Sequence, residues 1–367
     1  MAGNIESIAA HFHTDAKPEK LVPLETGHIN DTFVVTCHHF GQPLRYILQR
    51  INHEVFKNPP ALMQNVIRVT DHIKAKMLKQ NLQPASRQLV VIRTDSGSGF
   101  YKDHNGNYWR MYNFIENAFT RDVMESDEQA FEAARMFGWF QKMLVDLPGP
   151  QLHETIVDFH NTPKRFKTFE QVLHDDPCSR AVHAKQEIDF AFEHARICDV
   201  LLDLVQRGRI PVRVTHNDTK INNVMLDRET GKGVCIIDLD TVMPGLSLYD
   251  FGDMVRTATS PAEEDERDLS KVTMQMNRFI KLVQGFIQET KDFLTDAEIK
   301  HLAFAGKLIT FEQFIRFLAD YLTGDVYYRI HHKNHNLDRA RTQMKLVQSM
   351  IQQQDEMNRA VEKVMSV

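Results

Sequence analysis

The chain predicts an α+β protein of two lobes, a small antiparallel β-sheet carrying one helix followed by a larger, mainly helical lobe. Three features predict it. Short β-branched and apolar runs fill the first third, long runs with a 3.6-residue apolar period fill the rest, and a loop rich in acids and amides precedes a short buried strand among those helices. At 367 residues the chain also exceeds what one small core requires, so two lobes are the default.

Residues 31–36 and 45–49 read as strands, with Gly41-Gln42-Pro43 between them as a hairpin turn. After Pro59-Pro60, Leu62, Val66, Val69, Ile73 and Met77 recur at helical spacing. Residues 88–93 read as a strand, and a hairpin with His104-Asn105-Gly106 as its turn returns along 109–115. The strands follow one another too closely for parallel crossovers. Near Ile115-Glu116-Asn117 the pattern changes to long helices, over 127–147, 185–205 and 271–288. The boundary therefore falls between a nucleotide-binding lobe, 1–116, and a helical lobe, 117–367, that carries the catalytic loop and substrate pocket. This is a protein-kinase-like layout, in which nucleotide is expected between the lobes.

Composition narrows the function classes. A hydrophobic fraction of 42% and a charged fraction of 25% are those of a soluble globular chain, and a net charge of −5 disfavours nucleic acid as a partner. No apolar run approaches the roughly 20 residues that span a bilayer. The N-terminus lacks the basic start and apolar run of a signal peptide, and the four dispersed cysteines form no C-x-x-C pair. A cytoplasmic protein with reduced thiols is the expectation, and the oligomeric state stays open.

The chemistry concentrates in His216-Asn217-Asp218-Thr219-Lys220-Ile221-Asn222-Asn223, an H-x-D-x-x-x-x-N pattern. Twenty residues after its acid (238 − 218) the apolar run 233–237 ends in Asp238. The pattern points to phosphoryl transfer. Asp218, on a loop behind the strand 212–215, can accept the proton of a substrate hydroxyl. Asn223 and Asp238 offer the hard oxygen ligands that magnesium prefers. Lys220 can meet the charge of the transferred group, or be a solvated lysine. His216 reads as a packed scaffold residue, and Asp240 as a supporting acid or a turn cap. Asp250-Phe251-Gly252 imitates a metal-binding D-F-G, but the metal acid should end the first apolar strand after the loop, and that residue is Asp238. Asp250 is instead expected to accept hydrogen bonds from the catalytic loop. Gly27, Asn30, Gln49 and Glu116 are the candidate nucleotide contacts. No glycine-rich phosphate cradle or P-loop is present. Gln49 stands where many kinases place a phosphate-binding lysine, which leaves charge compensation to Arg50, Lys220 or a residue elsewhere.

These motifs resemble the aminoglycoside phosphotransferase and choline kinase family, except that the second acid of its I-D-x-x-D motif stands one residue early, at Asp240. Further blocks extend the resemblance from about residue 27 to 350: Gly27-His28-Ile29-Asn30, Tyr46-Ile47-Leu48-Gln49, Met243-Pro244-Gly245, 316–322, His335-Asn336-Leu337 and Arg341-Thr342-Gln343. They are similar to the hexosamine-kinase branch of that family, which also has Gln at the Gln49 position. The resemblance implies ATP- and Mg2+-dependent phosphorylation of the anomeric hydroxyl of GlcNAc or GalNAc, with Asp218 as base, Asn223 and Asp238 on metal, and His28, Arg316 and Tyr327 lining the sugar pocket. By periodicity alone Arg316 lies off the apolar face of a helix over 311–322, placed for an i,i+4 ion pair with Asp320. Tyr327 reads equally as a core-edge tyrosine and His28 as a loop histidine. A kinase of another hydroxylated metabolite (an amino alcohol, hydroxylysine, homoserine or an aminoglycoside) is the alternative, and the acidic run Glu263-Glu264-Asp265-Glu266 is its one sequence cue.

Overall fold

The computed structural model describes residues 2–24, 29–121 and 123–366. It has the α+β architecture that the sequence predicts, an antiparallel sheet in the N-terminal region and a helical C-terminal region. The strands used below are β1 (Pro18–Pro23), β2 (Asp31–His39), β3 (Gln42–Ile51), β4 (Val91–Ile92), β5 (Tyr101–Lys102), β6 (Tyr108–Asn113), β7 (Ala118–Phe119), β8 (Arg213–Thr215), β9 (Val224–Asp227) and β10 (Gly233–Ile236). The helices are α1 (Ala2–Ala9), α2 (Pro59–Lys79), α3 (Asp127–Leu144), α4 (Thr162–Asp175), α5 (Lys185–Glu193), α6 (Val200–Gln206), α7 (Ser247–Ala258), α8 (Met276–Thr290), α9 (Asp296–Lys300), α10 (Leu302–Thr323), α11 (His335–Gln352) and α12 (Gln354–Met365). No helix among the described residues is long and apolar enough to cross a membrane.

The chain forms two compact units. The first draws on residues 1–119, 143–157 and 224–243, the second on 120–142, 158–223 and 244–367.

In the first unit the sheet runs β1-β2-β3-β6-β4, with β5 also beside β6. Val35, Cys37, Tyr46, Leu48, Trp109 and Met111 point to one face and pack with Ile8 and Phe12. The β2–β3 turn is Phe40-Gly41, with φ of 49° and 78°, the left-handed pair a two-residue hairpin requires. It lies earlier than the Gly41–Pro43 turn expected from sequence, and Gln42 and Pro43 join β3. In α2 the Asn58 side chain caps the helix by accepting from Ala61 N at 3.2 Å, and Pro59-Pro60 occupy the first turn, where no N–H is needed. The expected strand over 88–93 shortens to Val91–Ile92. The Asn113 side chain takes over its pairing, accepting from Val90 N at 2.6 Å and donating to the Gln88 carbonyl at 3.1 Å. A second small sheet, β10-β9-β7, ends at Ile236, two residues before Asp238.

In the second unit α10 carries Phe311, Phe314, Ile315, Phe317, Leu318 and Leu322 into a core shared with α4, α5 and α11. Burying each such side chain stabilises the fold by about 1.5–3 kcal/mol. Two expected helices are interrupted. The segment 185–205 breaks after Glu193, where His194 Nδ1 reaches back to the Phe190 carbonyl at 3.1 Å before α6 begins. The helix expected from 271 begins only at Met276, because Asp268 caps a single turn over Leu269–Lys271 and the Met274 N–H is drawn to Ser349 Oγ at 3.0 Å.

Candidate functional site

The loop 216–223, read as catalytic from the sequence, follows β8 in the second unit. Asn217 adopts a left-handed backbone (φ 66°), which asparagine tolerates better than most residues. Its side chain spans the bend, accepting from Thr215 Oγ1 at 3.0 Å and donating to the Thr215 carbonyl at 3.2 Å. Asp250, fully buried in the first turn of α7, accepts from His216 N at 3.0 Å and Asn217 N at 2.7 Å. Gln141 Nε2 donates to the same carboxylate at 2.6 Å, and Thr219 Oγ1 donates to the Asp250 carbonyl at 2.6 Å. Asp250 thus fixes the loop, as the sequence suggested, and its D-F-G context is a coincidence of composition. His216 is wedged edge-on between Phe137 and Phe140, with ring centroids 5.3 and 5.8 Å away. It is a packed scaffold residue. Gly245 closes the bend, since a Cβ there would lie 2.2 Å from Thr215 Oγ1 and 2.5 Å from Asn217 Oδ1.

Asp218 is half-buried at the loop's outer edge. Asn223 Nδ2 donates to its carbonyl at 2.8 Å and to Oδ2 at 3.2 Å, and Lys220 Nζ lies 3.2 Å from Oδ1. Burial pushes the Asp218 carboxyl up, but Lys220, His216 and Arg256 together outweigh it and hold it below the ordinary range. The Lys220 ammonium is raised in turn, chiefly by Asp218. Donation through Nδ2 turns the Asn223 amide oxygen away from Asp218. The second unit thus offers an amide oxygen at Asn223, a hard donor of the kind magnesium accepts.

Around this loop the second unit places three residues the sequence reading missed, His160, Arg256 and Arg165, together with Arg316, which it named. His160 donates to Glu312 Oε1 at 2.8 Å and to the Asn217 carbonyl at 2.9 Å. Arg256 pairs with Asp253 at 2.8 Å and with Glu264 at 3.0 Å. Arg316 donates to Gln313 Oε1 at 3.1 Å and stacks over Phe159 and Tyr328. The ion pair expected between Arg316 and Asp320 does not form. Asp320 instead accepts from the backbone N–H groups of Val326, Tyr327 and Tyr328, which shapes the turn bearing those tyrosines. Tyr327 itself is exposed. Arg165 binds the Phe159 carbonyl at 3.1 Å, and burial followed by the charge of Arg316 pushes its guanidinium down. No described carboxylate forms an ion pair with Arg165 or Arg316. The acidic run is internally committed: Glu264 to Arg256, Asp265 to His335 at 2.9 Å, and Glu266 to Lys271 at 3.3 Å. With His332, Asp265 and His335 form a tight cluster, but His335 Nδ1 accepts from the His331 N–H at 3.1 Å. Its proton therefore sits on Nε2, toward Asp265, and the cluster closes the loop rather than presenting metal ligands.

The first unit holds the other candidate residues. Asp238, two residues beyond β10, has a left-handed backbone (φ 59°) of the kind that concentrates at functional sites. The turn after it is anchored by Asn65 of α2, whose Nδ2 donates to the Val242 carbonyl at 3.1 Å. Asn30 Nδ2 donates to Asp240 Oδ2 at 2.7 Å, and Arg110 pairs with the other oxygen of that carboxylate. Burial would lower the Arg110 guanidinium, but Asp240 and the more distant Asp238 hold it above its ordinary value. Gln49 accepts from Arg110 Nε at 3.0 Å and donates to Thr32 Oγ1 at 3.0 Å. Glu116 is bound by both ends of the Arg45 guanidinium, and Arg50 pairs with Asp31 at the surface. Gly27 and His28 lie outside the described residues. The signal for Arg110 was present in sequence as a lone charge inside Tyr108-Trp109-Arg110-Met111-Tyr112, but its partner lies 130 residues away.

The sequence matches the phosphotransferase enzyme family over residues 20–271, more than half of the chain. The chain belongs to that family. Solved structures of similar fold include an aminoglycoside phosphotransferase from Alicyclobacillus acidocaldarius, with a TM-score of 0.61 at 12% identity over 99% of this chain and 96% of that one. A spectinomycin phosphotransferase crystallised with ADP and spectinomycin gives 0.56 at 12% identity, covering 98% of each chain. Choline kinase from Cryptosporidium parvum Iowa II gives 0.56 at 13% identity, covering 97% of this chain and 96% of that one. At such identity these likenesses speak for the fold of the phosphotransferase alone.

Proposed function

We propose that this phosphotransferase is an N-acetylhexosamine 1-kinase, moving the γ-phosphoryl group of ATP to the anomeric hydroxyl of GlcNAc or GalNAc. Residues 1–116 would bind nucleotide and 117–367 the sugar. The observation that supports this choice of acceptor is the pair of guanidinium groups, Arg165 and Arg316, which form no ion pair with a described carboxylate and share only the nearby charge of Glu312, itself bonded to His160. Two guanidinium groups so placed repel the ammonium groups of amino alcohols and aminoglycosides, and they suit the carbonyl and hydroxyl oxygens of an acetamido sugar. The acidic run that could have favoured a cation is already paired with Arg256, His335 and Lys271.

Asp218 orients the hydroxyl and takes its proton. Its depressed pKa is compatible with this role, because the transition state of phosphoryl transfer is loose and the proton leaves late. Lys220, beside Asp218, balances charge on the transferred group, and Arg316 and Tyr327 hold the sugar. Asn223 and Asp238 would hold magnesium, which supplies neutralisation of the nucleotide phosphates. Unpaired cysteines, three of them buried, are in keeping with action in the cytoplasm.

The test is ADP release from Mg-ATP with a panel of N-acetylhexosamines, amino alcohols and aminoglycosides. Turnover of GlcNAc or GalNAc supports the proposal, and Arg316→Met should raise the sugar KM at least tenfold. Turnover of amino alcohols or aminoglycosides alone refutes the sugar assignment.

A further inference from the structure

A fully buried guanidinium in the middle of a strand is costly unless every donor is directed and its charge is matched. Arg110 is 1% exposed, its charge is matched by Asp240, and two of its nitrogens have directed acceptors. It lies directly across from Gln49 in the β3–β6 ladder. Its Nη1 pairs with Asp240 Oδ1, and its Nε donates to Gln49 Oε1 at 3.0 Å. Gln49 Nε2 is anchored in turn on Thr32 Oγ1 at 3.0 Å. The other Asp240 oxygen accepts from Asn30, whose own Oδ1 accepts from the Asn52 N–H at 2.9 Å. One hydrogen-bonded chain therefore joins β2, β3 and β6 to Asp240. The glutamine at position 49 now has a physical reason. It must accept from Arg110 and donate to Thr32 at once, whereas a lysine accepts nothing and would set a second cation beside the first.

Arg110 is too deeply buried to touch a nucleotide, so its effect has to pass through Asp240. The turn that follows Asp238 is gripped twice, at Asp240 by Arg110 and Asn30 and at Val242 by Asn65. We infer that Arg110 is a positioning residue: with Gln49 as its support, it clamps Asp240 and so sets the placement of Asp238 toward nucleotide-bound magnesium. The inference rests on the proposed kinase reading for the role of Asp238. It relocates the cation of the strand from a phosphate contact to a structural clamp.

The full chain is tested by calorimetric titration with ADP, with and without magnesium, in wild type, Arg110→Lys and Gln49→Met. Arg110→Lys keeps the charge but loses the fork that reaches Gln49 and Asp240 together. It should weaken Mg-ADP binding at least tenfold, while affinity for metal-free ADP and the acceptor KM change less than twofold. Gln49→Met leaves the ion pair in place and should shift Mg-ADP binding in the same direction by about threefold, so it serves if the lysine variant does not fold. A variant that melts earlier yet binds Mg-ADP like wild type overturns the inference and assigns Arg110 to stability alone. Wild type that fails to bind Mg-ADP overturns the kinase reading and this inference with it. Normal Mg-ADP binding without turnover of any sugar refutes only the acceptor.

Discussion

His160 offers the sharpest test of how the loop 216–223 is held. Its two ring nitrogens face two acceptors, Glu312 Oε1 at 2.8 Å and the Asn217 carbonyl at 2.9 Å, so both nitrogens must carry protons for both bonds to form. Burial opposes the imidazolium, but Glu312 and the Asn217 carbonyl outweigh it and raise the His160 pKa above its ordinary value. Glu312, correspondingly, is held below the ordinary range against the pull of burial, mainly by His160. A histidine raised on folding stabilises fully below its unfolded pKa of about 6.5, and that contribution fades as pH climbs through the folded pKa. Glu312 behaves oppositely and loses its contribution only as pH falls through its lowered value. The pair is thus intact in mildly acidic solution and weakens on the alkaline side. His160→Gln leaves Glu312, 1% exposed, with Thr162 Oγ1 at 2.6 Å as its remaining hydrogen-bond donor. Breaking a buried pair in this way costs about 3–5 kcal/mol. Urea denaturation at pH 6 and pH 9 measures it: wild type should lose stability toward pH 9, and the variant should be weaker at pH 6 with less decline. A variant within about 0.5 kcal/mol of wild type at pH 6 (the usual span of a neutral surface change), with an unchanged pH slope, would refute the reasoning.

Other consequences follow from the same loop. Asp250→Ala removes the acceptor of two backbone N–H groups and should lower kcat at least tenfold and stability by about 1–3 kcal/mol, read by steady-state kinetics and thermal melting. Gly245→Ala drives a Cβ into Thr215 and Asn217 and should cost about 1–3 kcal/mol in melting experiments, with kcat reduced alongside. Asp218→Asn should reduce turnover by about 10²–10⁴-fold and leave ADP binding near wild type; full activity would remove Asp218 from the role of base. Because Lys220, His216 and Arg256 keep the Asp218 carboxyl ionised against burial, kcat/KM should show no acid limb from this group between pH 5 and 7. A fall across that window that disappears in the Asn variant's residual rate would contradict this.

What sequence revealed of the site was local along the chain. Asp218, Asn223 and Lys220 share one loop, and the span to Asp238 is set by two short strands, so their spacing is visible without a fold. The α+β layout was legible for the same reason, since hairpins and helical periods are short-range patterns. Arg110 and Gln49 escaped because their relation is a matter of strand register, and Arg110–Asp240 because it joins a strand to a turn far along the chain. His160 and Arg165 carry no motif, and only the packing of α4 and α10 brings them beside Asn217 and Arg316. The break after Glu193 was hidden because the apolar period continues across it, while the side chain of His194 competes for the Phe190 carbonyl. The helix start at Met276 was displaced by a tertiary hydrogen bond from Met274 to Ser349.

The composition of the first unit bears on how the chain is made. Its last segment ends at residue 243, while its first ends at 119. At about 5–20 residues per second of synthesis, the sheet containing Arg110 emerges several seconds before the segment bearing Asp240. During that interval the guanidinium has Gln49 but not its carboxylate, and closing the sheet over it would strand a charge. The nascent sheet should therefore stay open, or loosely hydrated around β6, until Asp240 arrives. A fragment cut after the first segment should share that state, exchanging its β6 amide protons quickly where the full chain protects them.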